Sequence, residues 1–200
     1  MAIGLQAISV LKQDCVALLS RNDIYISVLG DAVTAAGAIF AGLPAEATER
    51  ELMDGCTTAQ VKRLFVTPQL LGLARSVAID SGIPDENVLI FDPPGLENCC
   101  TVGSHRHHFS RLLLDHDERT YSNPNCSKDL SSHIVSRLFT SGTTGLPKAA
   151  DVSHEATVNR IRAGILGHVD RNTQYLHFLG MQDMSGTLTR QQVCAGFESL

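Results

Sequence analysis

The sequence predicts an α/β protein, a partial doubly wound, mostly parallel sheet with helices on both faces. Short apolar runs rich in β-branched residues recur through the first ninety-one positions. Amphipathic stretches with apolar residues at helical spacing separate those runs. Strands that alternate with helices in this way build a parallel sheet that both helical layers cover. Two hundred residues, 44% of them hydrophobic, suffice for one sizeable core or for one piece of a larger one.

The elements follow in order. Residues 3–11 form a short helix-like segment, and residues 15–19, CVALL, form a compact apolar strand closed by the turn signal SRND at 20–23. A helix over 24–36 follows, with Gly37 at its C-cap, and a strand begins at 38–40. This tract, 24–43, raises the question of a membrane span. Asp31 and the many Ala and Gly residues favour a buried helix followed by a strand. Thr48 and Glu51 have the capping-box spacing that opens a helix over 48–56. Then come a strand at 61–67 (VKRLFVT), a helix at 69–81 and a strand at 87–91 (NVLIF). Residues 92–130 read as a long surface connection, broken only by FSRLLLD at 109–115. A strand at 133–139 (HIVSRLF) and a helix at 154–166 flank the segment TSGTTGLPKAADVS, which reads as a loop joining strand to helix. Residues 1–170 make one partial domain and 171–200 a divergent tail.

Composition excludes several functions. The net charge of −5 comes with no basic run and no aromatic-interleaved basic patch, so no nucleic acid partner is expected. Six cysteines without a CxxC pair, and an N-terminus without a basic start or a small-residue cleavage site, predict a reduced, intracellular and cytoplasmic chain. The final Glu198-Ser199-Leu200 departs at two positions from the peroxisomal Ser-Lys-Leu address. His105, His107, His108 and His116 crowd near Asp115, Asp117 and Cys99-Cys100, but without the regular ligand spacing of a zinc site. A solvated, pH-sensitive loop is the expectation there, with no metal site.

The chemistry concentrates between residues 140 and 148. Thr140, Ser141, Gly142, Thr143, Thr144 and Gly145 offer hydroxyls and backbone N–H groups, with glycines where the chain must turn closely. Lys148 adds a mobile point charge suited to a phosphate, and a helix start directly after the loop would add a dipole favourable to anions. The Walker A pattern fails, because Pro147 precedes Lys148 and Ala149 follows it. A phosphate cradle and an ordinary Gly/Thr-rich surface loop both fit this composition.

The order of residues says more. TSGTTGLPKAADVSH closely resembles the signature loop of the adenylate-forming superfamily, the acyl-CoA synthetases and 4-coumarate–CoA-ligase-like enzymes. Its typical form is Thr-Ser-Gly-Thr-Thr-Gly-x-Pro-Lys-Gly followed by Ser/Thr-His. Ala149 stands here where the family has glycine. The earlier segments GDAVTAAGAIFAGLPAEATEREL and VKRLFVT resemble the same family's early domain, so the similarity runs from about residue 5 to about residue 165. The style is nearest to fungal acyl-CoA ligases of secondary metabolism.

The resemblance implies part of a large N-terminal domain. It also implies formation of an acyl-AMP from a carboxylic acid and Mg-ATP, with transfer of the acyl group to coenzyme A. By resemblance, Thr140, Ser141, Gly142, Thr143, Thr144, Gly145 and Lys148 hold the β- and γ-phosphates. Tyr-Gly-x-Thr-Glu and Thr-Gly-Asp segments, which would bind Mg²⁺ and ribose in this family, do not occur in these 200 residues. His177 comes too early for the family's aromatic substrate-site motif. The expectation is therefore a truncated ligase-like chain that keeps its phosphate loop, with catalytic residues unassigned. Of a carboxylate-activating enzyme, a nucleotide-binding module without turnover and an inert remnant, the last two are favoured for these 200 residues alone, which are expected to be inactive in full adenylation. A sheet without its later strands would also leave an edge for a protein partner to cover.

Overall fold

The computed structural model describes residues 1–93, 108–112, 121–124, 131–140 and 148–165. Its strands are β1 (Cys15–Ser20), β2 (Ile39–Pro44), β3 (Val61–Val66), β4 (Val88–Ile90), β5 (Ile134–Thr140) and β6 (Lys148–Ser153). The helices are α1 (Ala2–Ala7), α2 (Tyr25–Ala35), α3 (Glu49–Thr58), α4 (Leu71–Asp80), α5 (Phe109–Leu112) and α6 (His154–Ile165). Together the strands form one six-stranded sheet in the order β4-β3-β1-β2-β5-β6. All neighbours are parallel except β5 and β6.

The central strand explains the apolar run that encodes it. Every residue of β1 is buried, because helices cover the sheet on both faces. Cys15, Ala17 and Leu19 point to one face, where they meet Leu52 and Cys56 of α3 and Ala74 and Val77 of α4. Val16 and Leu18 point to the other, against Leu5 of α1 and Ile26 and Leu29 of α2. The chain leaves β1 toward β2 in one direction and then returns past β1 to reach β3. Right-handed crossovers then place α2 on one face and α3 and α4 on the other. The short α5 closes the second face. Its Phe109 is fully buried and meets Phe91 edge-to-face at 4.9 Å and Tyr25 at 6.0 Å.

Helix ends are set by local chemistry. Thr48 accepts from the Glu51 backbone N–H while the Glu51 carboxylate accepts from the Thr48 N–H, so the expected capping box opens α3. Four helices end on a left-handed residue: Ser9, Gly37, Gln60 and Gly82, with φ of 62°, 82°, 53° and 70°. After α2, Gly37 N–H donates to Thr34 and Ala38 N–H to Val33, the paired bonds that satisfy the last carbonyls of the helix. Only glycine fits there without strain: a Cβ on Gly37 would also lie 2.5 Å from Pro124 Cγ. The left-handed turn at Ser9 likewise stops α1 at Ala7, short of the expected residue 11.

Candidate functional site

The sheet's carboxyl edge gathers the chemistry. Thr140 ends β5 at this edge, and Lys148 opens β6 directly opposite it in the antiparallel register. The two ends of the signature segment are thus cross-strand neighbours. Lys148 is exposed. Of the other residues expected to form the cradle, Ser141, Gly142, Thr143, Thr144 and Gly145 lie outside the described residues.

One expectation is corrected. The loop does not join a strand directly to a helix, because β6 intervenes and α6 begins only at His154. The six extended residues that run from Lys148 to Ser153 set α6 roughly 20 Å beyond Lys148, so the dipole of that helix does not start at the loop. The Ala149-Ala150 pair hides the strand, since alanine has little intrinsic preference for one. Cross-strand contacts with β5 supply what propensity lacks. Helix α6 is capped instead by Ser153, whose hydroxyl accepts from Ala156 N–H at 3.1 Å.

Polar and backbone contacts among the described residues fasten the hairpin to the rest of the fold. Backbone register with β2 runs through Phe40↔Ser136 and Ala41↔Arg137. At the start of β5, Gln13 uses its side-chain amide as a strand surrogate: Nε2 donates to Ile134 O at 3.0 Å, and Oε1 accepts from Ile134 N–H at 3.3 Å. Across the hairpin, Arg137 makes a fork-like pair with Asp151, Nε to Oδ1 at 2.6 Å and Nη2 to Oδ2 at 3.1 Å, and its Nη1 donates to Ala59 O at 2.6 Å. The hydrogen bonds it donates to Asp151 hold the guanidinium even more firmly protonated than usual.

Beside these ties sits His133. It is 4% exposed, its Nε2 has no hydrogen-bond partner among the described residues, and its ring lies 6.5 Å from that of His154. Burial, with Lys12 and His154 nearby, holds its pKa below the ordinary value, against a bond to the Gly37 backbone that acts the other way. The buried thiols of Cys15 and Cys56 are both pushed up to about 12 by desolvation, so neither is a poised nucleophile at neutral pH.

A second feature opens on the same carboxyl edge. A cleft of about 410 Å³ lies between the ends of β1 and β3, lined by Ser20, Arg21, Asn22, Asp23, Thr67, Gln69 and Leu70. These adjacent strands lead into helices on opposite faces, which is what opens a crevice in a doubly wound sheet. The turn signal at 20–23 marks one wall in the sequence, but nothing local announces that Thr67 and Gln69 form the other.

Of the histidine cluster, His108 alone is described. Its Nδ1 lies 2.8 Å from Asp92 Oδ2, just beyond β4, and Ile90 pairs with His108 in a parallel bridge. His105, His107, His116, Cys99, Cys100, Asp115 and Asp117 lie outside the described residues, as does His177. Among the described residues no group of three or more His, Cys, Asp or Glu side chains is placed to hold a metal ion. No described helix is long and apolar enough to cross a membrane.

A doubly wound sheet with the adenylate-forming signature between its last two strands defines a class. The model of the AMP-binding enzyme family matches residues 1–189, and the chain belongs to that family. Curated fungal proteins similar to it carry the names of acyl-CoA ligases and synthetases. The chain is 37% identical over 157 residues to phenylacetyl-CoA ligase epaB of Aspergillus niger, covering 77% of this chain and 28% of the relative. It is 35% identical over 154 residues to the acyl-CoA ligase azaF of Aspergillus niger, with the same two coverages. With acyl-CoA synthetase ACTT5 of Alternaria alternata, identity is 32% over 151 residues, 76% of this chain and 25% of the relative. The match therefore spans little more than a quarter of the curated relatives' length. Solved structures share the fold. A luciferase-like enzyme from the mealworm Zophobas morio superposes with a TM-score of 0.80 at 21% identity, covering 98% of this chain and 43% of that one. Acetoacetyl-CoA synthetase from Streptomyces lividans does so with a TM-score of 0.78 at 18% identity, covering 98% and 30%.

Proposed function

We propose that this chain contributes the phosphate-holding part of an acyl-CoA ligase, which activates a carboxylic acid as an acyl-adenylate and passes it to the thiol of coenzyme A. The observation that carries the reading is the pairing of Thr140 with Lys148 at the carboxyl edge of the sheet, inside a segment with the family's signature order. The donor set suits a polyphosphate. Threonine and serine hydroxyls and backbone N–H groups donate to phosphate oxygens, glycines admit close approach, and Lys148 adds a compact charge. A Mg²⁺ ion bound with ATP would neutralise further phosphate charge. The part of this chain is to hold the β- and γ-phosphates through Thr140, Ser141, Gly142, Thr143, Thr144, Gly145 and Lys148 while the α-phosphorus is attacked. That part is positioning and charge stabilisation.

The substrate is a carboxylic acid, and the relatives' names, a phenylacetyl-CoA ligase and an acyl-CoA ligase, put phenylacetic acid first in a panel of aromatic and fatty acids. Nucleotide binding without turnover is the second reading, because the residues assigned here bind phosphate and none is assigned to the acyl-transfer step.

The test measures Mg-ATP affinity and carboxylate-dependent release of pyrophosphate by the protein and by Lys148→Ala. Affinity is expected to fall about tenfold or more in the variant. Unchanged affinity would remove Lys148 from the site and with it the proposed cradle. Binding without pyrophosphate release selects the second reading.

A further inference from the structure

We propose that Arg137 and Asp151 are positioning residues for the nucleotide loop, a clamp that fixes the register of the β5–β6 hairpin and so the placement of Lys148 opposite Thr140. The inference rests on the reading of that loop as a phosphate cradle, and goes beyond it to residues outside the signature.

The geometry supports a clamp because of where it sits. The β5–β6 ladder has a register irregularity between Ile134 and Ser136, and the Arg137↔Asp151 pair is the second pair on the loop side of it, next to Ser136↔Val152. An irregular ladder is where a hairpin can slip. A slip of one residue moves the strand by about 3.4 Å and turns every side chain of β6 to the opposite face. Lys148 would then leave its register opposite the backbone of Thr140. Apolar pairs would resist such a slip weakly, since β6 supplies only Ala149, Ala150 and Val152. The two-point bond between a planar guanidinium and a carboxylate has one good geometry, and a one-residue shift breaks both of its bonds.

Arg137 also anchors the hairpin to the body of the fold. Its backbone is one of the two β5 positions in register with β2, and its Nη1 binds the carbonyl of Ala59 at the C-terminal end of α3. That carbonyl sits at the negative end of the helix dipole and suits a cation. One side chain therefore ties β6, β5 and α3 together. The Arg137 side chain is 15% exposed and that of Asp151 43%, so the pair is reachable by substitution at Asp151 without opening the core.

The experiment compares the protein with Arg137→Ala, Arg137→Lys, Asp151→Ala and the double alanine variant. It reads Mg-ATP affinity, thermal stability and the cross-strand NOEs of Leu138 with Ala150 and of Phe139 with Ala149. Either alanine variant is expected to weaken Mg-ATP binding about tenfold or more, and the double variant to be no worse than the poorer single one. The hairpin NOEs should weaken or move to a shifted pairing while the rest of the fold persists. Lysine, a point charge that cannot make the two-point bond, should fail to rescue. Wild-type affinity and unshifted NOEs in Asp151→Ala would overturn the clamp, as would full rescue by lysine. If the unaltered protein binds no Mg-ATP, the cradle reading fails and the NOEs alone decide the clamp. If Arg137→Ala does not fold, the Asp151→Ala measurements decide it.

Discussion

His133 shows how a single side chain can set the pH range of the fold. Its imidazole is buried, its Nε2 has no hydrogen-bond partner among the described residues, and Lys12 and His154 lie nearby. A proton is therefore bound more weakly in the folded chain than in the unfolded one. As pH falls through 6.5, the ordinary histidine value, the unfolded chain takes up a proton that the native site resists. Stability is thus fully present above that pH and is lost progressively below it. Replacing His133 with glutamine should flatten this part of the profile, as read from chemical denaturation between pH 7.5 and 5. An unchanged slope would assign the acid sensitivity to other groups. This residue was legible in the sequence only as the first position of a strand; its burial comes from long-range packing that no local pattern encodes.

At the scale of elements, most of the fold was readable because each piece follows a local rule. The apolar run at 15–19, the capping box at Thr48 and the glycine at 37 each name their element from nearby residues. Strand β6 was not readable, because Lys-Ala-Ala-Asp-Val-Ser carries little strand propensity and is held by its partner strand. The candidate site follows the same division. Thr140 and Lys148 are named by the signature, whereas Gln13 reaches the hairpin from far away in sequence and Arg137 meets Asp151 only once β5 and β6 have paired. The helix ends allow a paired test. Gly37→Ala forces a left-handed alanine against Pro124 and should cost more than about 1 kcal/mol. Gln60→Gly relieves an exposed left-handed residue and should raise stability by about 0.5–1 kcal/mol. Denaturant midpoints check both, and equal effects at the two positions would contradict the backbone argument.

For the molecule as a whole, the sheet separates what the chain can assemble early from what comes late. The strands β4, β3, β1 and β2 all derive from the first ninety residues, and their pairings close with short crossovers. Joining β5 to β2 requires the chain to return from one edge of the sheet to the far side, closing a loop from residue 41 to residue 137. Loop-closure entropy and contact order make this docking the slow step. Pulse-labelled hydrogen exchange during refolding should protect the amides of β1 and β3 before those of β5 and β6; simultaneous protection would contradict this order. The strand order thus has a meaning in time. During synthesis on a ribosome, a four-stranded platform can be complete before the signature loop leaves the exit tunnel, and that loop is then received by a surface already folded.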